Sequence, residues 1–288
     1  MSAEATGAVG GAFRLDYGFA TDRGLRRPLN EDALLADRHL FAVADGMGGH
    51  EAGEVASGIC VATLAEGQDA AHGELTAADL QQWMQAADLA IRRAAGSRAG
   101  TTLTGAALVR EAGVPYWLVF NVGDSRTYLL SRGRLAQVTV DHSEVQELVD
   151  QGRITPEEAI FHPRRHVITR ALGTGEDSEA DFWLLPVRAA DRLLICSDGL
   201  TGEVRDEDIA EVLTRHAAPQ DAVDELVQAA LKSGGRDNIT VVVVDVVPAH
   251  NGDAHDGDAH ADDANSDTAP RPDPEDGHTQ PRSEGTSP

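Results

Sequence analysis

Short apolar runs along this chain break off repeatedly at an acidic residue beside a glycine or another polar turn former. LFAVADGMGG, WLVFNVGDSR and RLLICSDGL share this form and place Asp45, Asp124 and Asp198 at run ends, while Asp237 opens the similar run RDNITVVVVDVV. Runs of that length, rich in β-branched and aromatic residues, read as strands, and strand ends are where a fold presents functional side chains. The pattern predicts strands near 13–20, 33–36, 39–44, 102–110, 116–122, 126–130, 181–187, 192–196 and 239–247. Helical spacing fills the gaps. EAGEVASGICVATLAE over 51–66 sets Val55, Ile59 and Ala62 on one face, and Thr76 is placed to cap a helix carrying Leu80, Trp83, Ala87 and Ile91. Shorter helices fit 143–150, 206–214 and 219–232. Strands come in runs rather than in strict alternation with helices. That predicts an α+β fold, with helices packed outside antiparallel sheets, over a doubly wound parallel sheet.

The ends differ from the body. Residues 1–12 are small and Gly/Ala-rich and are expected to form a disordered leader; a globular body is expected over 13–248. Residues 249–288 contain ten acidic residues, two arginines, several prolines and a repeated GDAH, with no apolar periodicity, so a disordered acidic tail is expected there. The formal net charge is −24, and the body stays acidic without the tail, which argues against nucleic acid or an anionic membrane as a partner. The first residues lack a signal-peptide pattern, and no apolar run approaches the roughly 20 residues of a spanning helix. Cys60 and Cys196 sit in apolar surroundings and are expected to be buried free thiols, which suits a cytoplasmic protein.

Composition therefore leaves the acids to explain. With Asp32 opening NEDALL there are five aspartates at strand ends and no cysteine–histidine zinc spacing, so a hard divalent cation, Mg²⁺ or Mn²⁺, is the expected ligand. A cysteine-dependent phosphatase needs an arginine six residues after its cysteine; Gly202 and Glu66 stand there instead. A nucleotide-binding GxxxxGK[ST] loop is also missing. What the chain does carry is an ordered series: Arg26 to Asp32 as RRPLNED, Ala44 to His50 as ADGMGGH, then GTT at 100–102, GDSR at 123–126, VTVDHS at 138–143, SDG at 197–199 and GRDNIT at 235–240.

In that order and spacing the series resembles the PPM family, the PP2C-type metal-dependent protein serine/threonine phosphatases, in its bacterial branch. The resemblance covers residues 13–247. It implies a four-layer αββα sandwich, two antiparallel sheets flanked by helices. It implies hydrolysis of phosphoserine and phosphothreonine by a water bridging two Mn²⁺ or Mg²⁺ ions, with a third, looser ion. By position, Asp45 matches the bridging aspartate and the Gly46 carbonyl a ligand of the second ion. Asp198 and Asp237 match ligands completing the first site, Glu31 and Asp32 acids that hold metal-bound waters, and Asp124 a third-ion ligand. Arg27 matches the arginine that grips the substrate phosphate. Met47 stands where eukaryotic relatives place a histidine thought to be the general acid; His50, then His142, then a metal-bound water are the substitutes. Residues 144–166 occupy the place of the family's flap beside the active site, where Arg164 and Arg165 are candidates to meet a phosphopeptide. Expected partners are phosphoproteins, Ser/Thr kinases and their substrates, met by a monomer. The alternative is a non-catalytic pseudophosphatase acting as a regulatory binding protein.

Overall fold

The structure, a computed structural model, describes residues 5–9, 13–48, 52–71, 74–95, 99–175 and 178–248. The first elements are strands β1 (Ala5–Val9), β2 (Phe13–Asp22), β3 (Asp32–Asp37) and β4 (Leu40–Gly48), then helices α1 (Ala52–Ala70) and α2 (Ala77–Ala95). Strands β5 (Ala99–Thr101), β6 (Leu103–Glu111), β7 (Val114–Val122), β8 (Arg126–Ser131) and β9 (Arg134–Gln137) follow, then helices α3 (Glu144–Asp150) and α4 (Pro156–Ile160). The domain closes with β10 (Asp181–Pro186), β11 (Arg192–Cys196), α5 (Asp198–Thr201), α6 (Asp206–Arg215), α7 (Pro219–Ser233) and β12 (Ile239–Pro248).

All strand pairs are antiparallel. One sheet runs β1-β2-β12-β11-β8-β9; the other runs β10-β7-β6-β4-β3, with β5 on the end of β4. Side-chain alternation shows how they stack. In β12, Val241 and Val243 pack with residues of α5, α6 and α7, while Val242 and Val244 face Phe41, Val43, Trp117 and Val119 of the opposite sheet. In β4, Phe41 and Val43 point to that same inner layer, and Leu40, Ala42 and Ala44 pack under α1 and α2. Both faces of each sheet are buried, giving the four-layer αββα sandwich. Full burial of a valine contributes about 1.5–3 kcal/mol, so the uninterrupted run at 241–244 belongs at this centre. Tyr17 meets Phe41 of the opposite sheet edge to face at 5.1 Å between ring centroids, and Trp117, from Phe41's own sheet, meets it likewise at 6.4 Å, so an aromatic cluster bridges the two sheets.

Several expectations are corrected. Residues 5–9, assigned to a disordered leader, form β1 along the edge of β2, where an open row of backbone donors and acceptors accepts another strand. The rest of that leader, at 1–4 and 10–12, lies outside the described residues, as does the tail from 249. Helix α1 does not bury the Val55 face, for Val55 is 44% exposed; it turns Gly53, Ala56, Ser57, Cys60 and Leu64 inward. Small groups at its start let the backbone approach β4 closely, which outweighs the larger side chains. Helix α2 buries Leu80, Met84, Ala87 and Ile91, and Thr76 caps it reciprocally with Asp79. No helix among the described residues is long and apolar enough to cross a membrane.

Candidate active site

Antiparallel pairing brings the start of β3, the end of β4, the end of β7, the end of β11 and the start of β12 to one end of the sandwich. Asp32 lies opposite Asp45 in register. Asp198 opens α5 directly after β11, Asp237 precedes β12, and Asp124 sits where the chain crosses from β7 in one sheet to β8 in the other. A cavity of about 560 Å³ opens there, lined by Arg27, Glu31, Asp45, Gly46, Asp124, Asp198 and Asp237 among others.

Asp32 is the exception, absent from that lining and held by the two strands beneath. Its Oδ2 accepts hydrogen bonds from Ser197 Oγ at 2.9 Å and Thr240 Oγ1 at 2.7 Å. Its Oδ1 is shut off from solvent without a hydrogen-bond partner. Asp45 is fixed through its backbone: its N–H donates to Thr102 Oγ1 at 3.1 Å, and its carbonyl accepts from Thr101 Oγ1 at 3.0 Å and Thr102 N at 2.9 Å. Gly46 admits no side chain, since a Cβ there would stand 2.2 Å from the Gly53 carbonyl oxygen and 2.5 Å from that of Glu31. Asn238 ties the arginine loop to β12. Its Oδ1 accepts from Glu31 N at 2.8 Å, and its Nδ2 donates to the carbonyls of Arg23 and Leu29, both at 2.9 Å. Asn238→Ala should therefore cost about 1–2 kcal/mol, because three part-buried backbone groups lose their partner, and should raise KM by loosening the loop that carries Arg27. Thermal unfolding and p-nitrophenyl phosphate kinetics check both effects.

These carboxylates do not sit easily together. Asp45 keeps some surface toward the cavity, but its carboxylate is packed deep among protein atoms. Desolvation, then the charges of Asp32, Asp198, Asp124 and Asp237, hold it protonated well above the usual carboxylate range. Burial, with Asp198 and Asp237 adding to it, pushes Asp32 up to about 7 against the hydrogen bonds from Thr240 and Ser197. Burial and the charges of Asp198 and Asp141 push Asp124 up to about 8, although Arg126 opposes them. Among the described residues no three acidic, histidine or cysteine side chains close into a ready-made ligand cage. Instead there is a crowded cluster of carboxyl groups, all oxygen donors, with one orphaned atom at Asp32 Oδ1. That donor set fits hard divalent cations.

Positive charge stands at the rim. Arg27 donates from Nη2 to Asp237 Oδ2 at 2.7 Å and keeps half its side chain in solvent. Partial burial works against its charge, but Asp237, Asp45 and Glu31 outweigh that and raise its pKa. Arg236 is clamped by Glu203 through Nε–Oε1 at 2.8 Å and Nη2–Oε2 at 2.9 Å. Arg165 also lines the cavity, whereas Arg164 pairs with Glu144 at 2.5 Å.

The histidines sort differently from the sequence expectation. His142 is not open to the cavity: it is buried, its Nδ1 accepts from Gly123 N at 3.1 Å, and its Nε2 lies 3.1 Å from Asp181 Oδ2. It braces the turn that carries Asp124. His50 lies outside the described residues. His166, which the sequence did not single out, lines the cavity with Nδ1 3.9 Å from Asp198 Oδ2. Its only sequence signal was its place at the end of the flap segment.

Comparison with known proteins agrees with this geometry. The family model for protein phosphatase 2C matches residues 26–234. The serine/threonine protein phosphatase PstP of Mycobacterium tuberculosis is 47% identical over 238 residues, which are 81% of this chain and 45% of PstP, so the chain matches slightly under half of that relative's length. The serine/threonine phosphatase stp of Listeria monocytogenes is 37% identical over 241 residues, 79% of this chain and 94% of that protein. Among solved structures, the catalytic domain of PstP in complex with two manganese ions superposes with a TM-score of 0.72 at 42% identity, covering 81% of this chain and 98% of that one. The chain belongs to the protein phosphatase 2C family.

Proposed function

We propose that the chain is a metal-dependent phosphatase that removes phosphate from phosphoserine and phosphothreonine in proteins, using Mn²⁺ or Mg²⁺. The observation that carries this is the ring of buried, mutually repelling carboxylates around one cavity with Arg27 at its edge. Asp45, the Gly46 carbonyl, Asp198 and Asp237 would hold two core ions. Glu31 and Asp32 would hold their waters, and Asp124 a third ion. When bound, the ions activate water for attack on phosphorus and neutralise charge on the phosphoryl oxygens.

The chain's own residues do the rest. Arg27 swings from Asp237 to the phosphate, which its planar guanidinium grips in a bidentate way. Ser197 and Thr240 hold Asp32, and the threonines at 101–102 hold Asp45, so the acids keep their places when charged. Of the described histidines, His166 alone lines the cavity, within reach of a departing alkoxide. Arg27, Asp45, Asp198 and Asp237 all lining one cavity favours turnover over a binding-only role. We place the enzyme in the cytoplasm, as a monomer opposing Ser/Thr kinases.

Hydrolysis of p-nitrophenyl phosphate with Mn²⁺, Mg²⁺ or EDTA tests the reading; turnover indifferent to EDTA, or none with either metal, would refute it. Arg27→Ala should raise KM by about tenfold or more while changing kcat less, because phosphate binding in the ground state is what it supplies. A large loss in kcat at constant KM would show that Arg27 acts only in the transition state.

A further inference from the structure

A second cavity, about 650 Å³, adjoins the first. The two share Asp124, Arg165, His166, Asp198 and Gly202, so one opens directly into the other. Helices α3 and α4 form one wall of this groove, and the segment from α5 into α6 forms the other. Its apolar lining comes from Val145, Val149, Ala159, Ile160 and Val204. Val145 and Val204 are buried, Val149 and Ala159 half-buried, and Ile160 is 63% exposed. Several of the groove's ionic side chains are committed to one another or to neighbours. Arg126 is forked onto Asp141 at 2.7–3.1 Å, Arg205 bonds Asp208 at 3.3 Å, and Asp206 accepts from Tyr128.

We propose that this groove is a subsite for an apolar side chain of the substrate polypeptide, a few residues from the phosphorylated one. The inference rests on the phosphatase reading above. A phosphoserine seated in the first cavity belongs to a chain that must leave it, and extended chain advances about 3.3 Å per residue, so residues two to four positions away reach the groove. The valines, Ala159 and Ile160 offer contact to a leucine- or isoleucine-sized group. The flap segment thus acts in specificity through its aliphatic residues rather than through Arg164, which Glu144 holds.

The test is a set of phosphothreonine peptides of one length, with leucine or serine placed in turn at each of the four positions on either side. Against the wild type, leucine at one or two neighbouring positions should raise kcat/KM about tenfold or more over serine. Ile160→Ser and Val149→Ser should each erase most of that preference while p-nitrophenyl phosphate, too small to reach the groove, is hydrolysed as before. Ile160 is exposed, so its substitution does not threaten folding. No leucine preference at any position, or a preference that survives both substitutions, overturns the subsite while leaving the phosphatase reading intact. Failure of the wild type to hydrolyse either the peptides or p-nitrophenyl phosphate overturns both.

Discussion

Asp45→Asn should stop phosphate-ester hydrolysis, with kcat/KM falling by at least about 10³-fold, and should at the same time raise the thermal stability of the protein in EDTA at pH 8. The two effects share one cause. The amide has nearly the shape of the acid, and the backbone bonds to the threonines at 101–102 that position this residue are untouched. What is lost is the ability to ionise. With cations bound, the ionised acid would serve as a ligand. Without them Asp45, buried beside Asp32, Asp198, Asp124 and Asp237, is held protonated well above the usual carboxylate range, whereas the unfolded chain ionises it freely. At pH 8 that difference costs native stability, and an amide, which has no proton to hold, removes the cost. Calorimetry in EDTA and in Mn²⁺, alongside p-nitrophenyl phosphate assays, reads both. Retained turnover, or a variant less stable than the wild type in EDTA, would contradict the assignment of Asp45.

Metal should stabilise the protein far more at pH 8 than at pH 5.5. Asp32 is pushed up to about 7 and Asp124 to about 8 in the folded state, against roughly 3.9 in an unfolded chain. Between about pH 4 and pH 8 the folded protein thus binds more protons than the unfolded one, and its stability falls as pH rises through that window. Below about pH 4 both states are protonated at these groups and the penalty vanishes. In EDTA the melting temperature should drop by several degrees from pH 5.5 to pH 8. Mn²⁺ should reverse most of that drop at pH 8 and do much less at pH 5.5, where protons already hold the carboxylates. Equal Mn²⁺ shifts at the two pH values would show that these acids do not take the ion.

How much of this was legible beforehand varies by residue. Asp45, Asp198 and Asp237 announce themselves because each edges a strand run, Asp45 and Asp198 visibly closing an apolar stretch and Asp237 opening one. The strands at 192–196 and 239–247 were legible for the same reason, but the sandwich was not. A run such as Val241 to Val244 is buried on both faces, and period-two alternation, which would reveal one buried face, is erased. The family resemblance supplied the layers. The inward face of α1 was misread because Gly53, Ala56 and Ser57 bury themselves by being small, a property hydrophobicity does not record. Strands β5 and β9 went unseen, being three and four residues long and defined by the partners they lie against. The polar supports, Thr102, Ser197, Asn238 and Thr240, fall within the GTT, SDG and GRDNIT segments, but their supporting roles show only in their hydrogen bonds.

The pairing of β2 with β12 bears on how the molecule is made. Phe13–Asp22 lies along Ile239–Pro248 over its whole length, so strands from opposite ends of the domain are neighbours in one sheet. A ribosome delivers the first of these strands more than two hundred residues before the second. The other sheet, built from segments between 32 and 186, is fully synthesised well before then. Arg27 is likewise translated long before Asp237, its partner in the finished site. The nascent chain is therefore inert until almost all of the domain has emerged. Until then the edge of β2 lacks its central neighbour, which makes this strand the natural client for a chaperone during synthesis.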